Sequence, residues 1–216
     1  MEFIDRIYSP YSASWVVWVL FFLLLIGVFN HSLWNSLRGG LQALFSYVER
    51  RYGYVTDLGS KILSFILRIG IVGLAVYLLV YSAYYSDGAF TFIHYLKVTG
   101  VVGLLSGIQL LLSQIVGRIF LSPRHLSAVM EQSEYIHNVM SAILWLVLLF
   151  SINCSASLIT YILCSVAGIF FSIAMMTKGI QMFYNGVLSL LYIVLYFISL
   201  EVIPVCGMLF WSKDIL

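Results

Sequence analysis

Apolar residues run through this chain in long blocks, and the polar residues between them are few and grouped. A hydrocarbon core about 30 Å thick needs roughly 20 apolar residues in a helix, at about 1.5 Å each. The first block of that kind, Ser14 to Asn30, begins with Trp15 and Trp18, and no charged residue stands between Arg6 and Arg38. A second runs from Ile62 to Tyr85, with Arg68 one or two turns inside and Tyr77, Tyr81, Tyr84 and Tyr85 toward its far end. After the turn signal Ser86-Asp87-Gly88, a third block covers Ala89 to Phe120 and holds Lys97, Gln109, Gln114 and Arg118.

The stretch from Tyr135 to Thr177 carries no formal charge over 43 residues, too long for one crossing. The polar cluster Ser151-Ile152-Asn153-Cys154-Ser155 divides it into two spans joined by a tight turn. Upstream, Ser122-Pro123 is a helix-start signal, with proline at the first helical position. A short helix there, carrying Glu131 and Glu134, leads into the fourth span. The last block, 184–211, holds Glu201 and Pro204.

Between the first two blocks, Leu33, Leu37, Leu41, Leu44, Phe45 and Val48 recur at helical spacing, with Asn35, Arg38, Gln42, Glu49 and Arg50 on the other side. That pattern predicts a helix lying in the membrane interface, bent at Gly39-Gly40. It reads as a connecting amphipathic segment, or as a docking helix for a partner. The pattern as a whole predicts an all-α, polytopic membrane helix bundle in one domain over 1–216. It has about six transmembrane helices at 20 or so residues each, over about 14–30, 62–85, 89–120, 136–152, 158–176 and 184–211, plus the cytoplasmic interfacial helix.

Composition sharpens this picture. The chain is 62% hydrophobic and 9% charged, against roughly 25% charged in soluble domains, which excludes a water-soluble globular protein. A net charge of +2 argues for no nucleic-acid partner. Glu2, Asp5 and Arg6 do not form the basic start of a signal peptide, and the first apolar run is too long for one, so the segment is expected to be retained. Cys154, Cys164 and Cys206 have no metal or redox spacing and read as small buried apolar residues.

The distribution of Lys and Arg sets an orientation. Loops on one side of a six-span threading hold Arg38, Arg50, Arg51, Lys61, Arg118, Arg124 and Lys178, and those on the other hold only Arg6 and Lys213. Positive residues stay cytoplasmic, so both termini are expected to be periplasmic, in a multi-pass inner-membrane protein. Trp15, Trp18, Tyr84, Tyr85, Tyr95 and Trp211 then fall at the outer interface.

An ionised side chain inside a membrane costs about 2.5–3.5 kcal/mol on insertion scales and seeks a partner. Lys97 lies roughly 12 Å below the outer end of its span and Glu201 roughly 15 Å below the end of its own, at about 1.5 Å per residue. The match predicts that they pair, either as a pin that sets helix register or as an ion-coupling site. Arg68 either snorkels to the cytoplasmic headgroups or binds a lipid phosphate or substrate anion. Pro204 removes a hydrogen bond to the Leu200 carbonyl and should kink the last helix beside Glu201.

Gly100, Gly103 and Gly107, with Gln114 on roughly the same side, mark the third span as a site of close helix approach and as central to the bundle. His31, His94, His125 and His137 are scattered and form no zinc or haem pattern. No nucleophile–base set, phosphate loop or paired-carboxylate arrangement is present, so no enzyme, cofactor or metal is expected.

The segment Tyr192-Ile193-Val194-Leu195-Tyr196-Phe197-Ile198-Ser199-Leu200-Glu201-Val202-Ile203-Pro204 resembles the terminal signature of a family of small polytopic inner-membrane proteins from Bacteroidota, catalogued only as a domain of unknown function. The resemblance implies an inner-membrane location, makes Glu201 and Pro204 the positions of its Leu-Glu-x-x-Pro motif, and brings no activity with it. Two functions follow from the sequence. The first is a non-enzymatic subunit or assembly factor of a membrane complex, contacting lipid and a membrane-protein partner or a second copy. The alternative is a small transporter or proton- or ion-coupled protein that uses Glu201 and Lys97. The orientation has a direct test: reporters fused at each terminus should be active only as periplasmic reporters, and cytoplasmic activity at either end overturns the topology.

Overall fold

The computed structural model describes residues 14–29, 34, 58–84, 91–120, 123–153, 157–183, 203, 206–208 and 210–211. Among them only Thr91 lies outside a helix, so the all-helical expectation holds. The helices are α1 (Ser14–Phe29), α2 (Leu58–Tyr84), α3 (Phe92–Phe120), α4 (Pro123–Asn153) and α5 (Ser157–Phe183). Three stretches, Lys61–Tyr81, Phe92–Ile115 and Ser133–Ser151, are long and apolar enough to cross a membrane, and Trp15–Phe29 and Ile162–Ala174 are shorter apolar helices. The segment 35–57 of the interfacial-helix expectation, and most of the last span, lie outside the described residues.

α4 begins at Pro123, as the proline signal predicts, but it runs unbroken for 31 residues. The short helix and the fourth span are thus one element about 46 Å long at 1.5 Å per residue. No glycine or proline interrupts it after Pro123, and Glu131 and Glu134 continue the helical period.

α2 is the hub. It packs against α1, α3 and α4, and more lightly against α5, and 56% of its apolar window is buried within the chain against 11% for α3. This corrects the expectation that the third span is central. Among the described residues nothing lies within 4 Å of a Cβ built on Gly100 or Gly107, whereas Gly103 meets the Ile69 side chain at 3.4 Å. The close approach is built instead on α2. A Cβ on Gly73 would lie 2.5 Å from Oγ1 and 3.0 Å from Cα of Thr99, and one on Gly70 would lie 2.9 Å from a Leu23 methyl. Glycine spacing marks where helices can approach, but the same small residue serves equally on a face that no described residue covers.

An aromatic and tyrosine-bonded cluster closes one end of the bundle, where α1 begins, α2 ends and α3 begins. Trp15 lies 6.1 Å from Tyr77 and 5.7 Å from both Phe92 and Tyr95, ring centre to ring centre. The Tyr77 hydroxyl donates to the Thr91 carbonyl at 3.2 Å and accepts from the Thr91 amide at 3.1 Å. Thr91 in turn caps α3, its Oγ1 accepting from the His94 amide at 3.4 Å, as an N-cap threonine does. Tyr95 donates to the Gly70 carbonyl at 3.3 Å and is buried. It is therefore a core residue, whereas Trp18 and Trp211 are exposed.

Filling the α2–α3 approach should destabilise the fold. Gly73→Val forces the Thr99 backbone away, an overpacking cost of about 1–3 kcal/mol, readable as a lowered midpoint of thermal unfolding in detergent. Gly107→Ala, in open space, should leave that midpoint unchanged or raise it. Equal responses would contradict the assignment of α2 as the tightly packed partner.

Candidate functional site

Polar residues concentrate where α2 meets α4. On α2, Lys61, Ser64, Arg68, Ile71, Ala75 and Leu78 follow one another at alternating steps of three and four. On α4, Glu131, Glu134, Asn138, Ser141, Trp145 and Leu148 do the same. Such stripes form the seam between two helices, and the two helices run parallel here. Ser64, Ile71, Ala75, Leu78, Asn138, Ser141 and Leu148 are buried. The seam is polar in its first half and apolar in its second, where Trp145 Nε1 reaches across to donate to the Leu20 carbonyl of α1 at 3.3 Å.

The polar half holds opposed charges. Glu134 feels the positive charges of Lys61 and Arg68 and the negative charge of Glu131. The Arg68 guanidinium sits over the Phe65 ring, 5.0 Å from its centre, and its charge also reaches His137. Glu131 accepts a 2.7 Å hydrogen bond from the Tyr135 hydroxyl. His137 Nδ1 lies 2.7 Å from the Ser133 carbonyl and 3.3 Å from Ser133 Oγ. A carbonyl only accepts, so Nδ1 bears the hydrogen and Nε2 is the lone-pair nitrogen of the neutral ring. The ring stands edge-on to Phe171 of α5 at 5.0 Å, and the His137 carbonyl accepts from Ser141 Oγ at 2.8 Å.

The residues singled out in the sequence are dispersed by comparison. Arg68 enters this charged seam, so it has protein neighbours and not only headgroups to meet. Lys97 is exposed on α3, and Gln114 is half-buried roughly 25 Å further along the same helix at 1.5 Å per residue. Glu201 and Pro204, and with them the Lys97–Glu201 pairing and the proline kink, lie outside the described residues. Glu134, His137 and Asn138 form no motif in the sequence, where Glu134 reads as part of a short helix and His137 as one of four scattered histidines. The alternating three–four spacing of Lys61, Ser64 and Arg68 on α2 and of Glu131, Glu134 and Asn138 on α4 was the available signal. Among the described residues no cluster of metal-ligating side chains occurs.

The opposed charges should be energetically coupled. Arg68→Gln and Glu134→Gln should each cost roughly 1–3 kcal/mol by leaving a partner unanswered, and the double variant should cost clearly less than their sum. Strict additivity in a double-mutant cycle, read by thermal or denaturant unfolding, contradicts the coupling.

Searches among curated proteins and among solved structures returned no match to this chain. A family model covers residues 16–211, which spans α1 to α5 and the helical residues near the C-terminal end. The chain therefore belongs to the family described as Domain of unknown function (DUF4271).

Proposed function

We propose that this chain is an integral, multi-pass protein of the inner membrane, both termini periplasmic, and that it serves as a non-enzymatic subunit or assembly factor of a membrane complex. The observation that carries the reading is the uneven covering of its helices. α3 is among the longest apolar helices, yet only 11% of its apolar window is buried within the chain. Lipid suits the exposed Ile93, Leu96, Leu104, Ile108, Leu111 and Ile115. It does not suit Lys97, which is exposed on the same helix, because a charge there gains from a protein partner. Among the described residues nothing comes within 4 Å of a Cβ on Gly100 or Gly107 of α3, and each costs about 0.5–1 kcal/mol relative to alanine in a helix. Small residues return that cost where a second helix comes close. The partner is a membrane protein or a second copy of this chain, in contact with lipid, and no nucleic acid is part of this reading.

One observation favours the second reading, a proton- or ion-coupled protein. Its sequence form rests on Glu201 and Lys97. In the structure, a chain of titratable groups (Glu131, Glu134 and His137) runs along α4 opposite Lys61 and Arg68, and intramembrane chains of this kind mark proton and ion pathways.

The subunit reading is tested by cysteine crosslinking at Leu104 in native membranes. The expected result is a crosslinked species containing a partner or a second copy, lost in the Gly100→Leu/Gly107→Leu variant. An isolated monomer in mild detergent, with no crosslink in membranes, would sink it.

A further inference from the structure

In the polar half of the α2–α4 seam, one buried group is left unanswered. Asn138 is 3% exposed, and its Nδ2 has no hydrogen-bond partner among the described residues. A buried amide hydrogen without an acceptor costs about 1–3 kcal/mol. Where packing leaves no room for a larger ligand, the species that answers such a group is an ordered water with two to four polar partners. Candidates for those partners stand within about one turn of Asn138 on the same helix: the Glu134 carboxylate and Nε2 of His137, whose Nδ1 hydrogen is taken by the Ser133 carbonyl at 2.7 Å. The first residues of the seam are not buried. Lys61 at its open end is exposed, and Glu131 and Glu134 are only half-buried.

We infer that Glu134, Asn138 and His137 form a water-linked proton site, which joins the open end of the seam to its interior. Glu134 takes a proton from the aqueous end. A water held by the Asn138 amide receives that proton from the carboxylic acid and gives one of its own to Nε2 of His137, and Glu134 returns to the carboxylate. Only O–H and N–H bonds form and break, so the step needs no oxidant or reductant. Throughout, Nδ1–H stays on the Ser133 carbonyl, which holds the ring in one orientation.

The charges around the site are Lys61 and Arg68 from α2 and Glu131 from α4 itself. Arg118 is exposed near the end of α3. α5 presents the Phe171 ring, with Cys164 about two turns further along. No described residue of α1 is charged. This inference rests on the proton-coupled reading and moves its site from Glu201 and Lys97 to the α2–α4 seam.

The test uses the full chain in liposomes loaded with a pH-sensitive dye, with proton flux driven by a potassium diffusion potential. Wild type should conduct above protein-free vesicles. Glu134→Gln, His137→Gln and Asn138→Leu should each lose flux at least tenfold, and Glu134→Asp should retain flux with a shifted pH profile. Leu111→Ala, on the exposed face of α3, should behave as wild type. Monodisperse elution qualifies each variant, and the Glu134→Asp profile stands even where a larger change fails to fold. Wild-type flux equal to that of empty vesicles overturns the proton-coupled reading together with this site. Wild-type flux that survives Glu134→Gln and His137→Gln overturns the site alone.

Discussion

The approach of α3 to Gly73 of α2 is the constraint on which the arrangement of the other helices depends. With no side chain at position 73, Thr99 lies where a Cβ would stand, and the two backbones come together there. That contact sets the register of the antiparallel α2–α3 pair. The register in turn places Tyr95 against the Gly70 carbonyl and Tyr77 against Thr91. Leu23 of α1 occupies the neighbouring notch at Gly70. A helix that accepts one partner on glycines and another along a regular seam can hold neighbours on several sides, which is why α2 is the best covered of the long helices.

The seam between α2 and α4 divides its work along its length. In the half nearer the aromatic cluster, Ile71, Ala75, Leu78 and Leu148 belong to one buried core against which Trp145 packs. Lys61, Ser64 and Arg68 with Glu131, Glu134 and Asn138 occupy the other half. Opposed charges there discriminate between registers: a shift by one turn would set unlike residues against each other and leave charges unanswered. A buried polar network stabilises little relative to apolar packing but is costly to break. Ser133 fixes the His137 ring by a hydrogen bond within α4 itself, so the ring's orientation does not depend on the neighbouring helix.

α3 is built differently. One side carries Tyr95, Val98 and Val102 into the core, and the remainder is a broad apolar surface interrupted by Lys97 and open glycines. The subunit reading and the proton-coupled reading therefore rest on different parts of the molecule, the exposed face of α3 and the interior of the α2–α4 seam.

The hydrophobic pattern by itself determined that the chain is helical and where α1, α2, α3 and α5 run, to within a few residues at most described ends. Segment length and apolarity are properties of consecutive residues, and a helix forms all its backbone hydrogen bonds within itself. Pro123 marked the start of α4 for the same local reason. What the pattern did not decide was which helix is central and which polar groups meet. Gly100 and Gly107 are indistinguishable in sequence from Gly70 and Gly73, and only the packed bundle distinguishes covered from open. Arg68 was legible as an anomaly, but its neighbours Glu134 and His137 lie more than sixty positions away. Their meeting follows from the rotation of two helices about their own axes, a quantity fixed by packing on both sides at once.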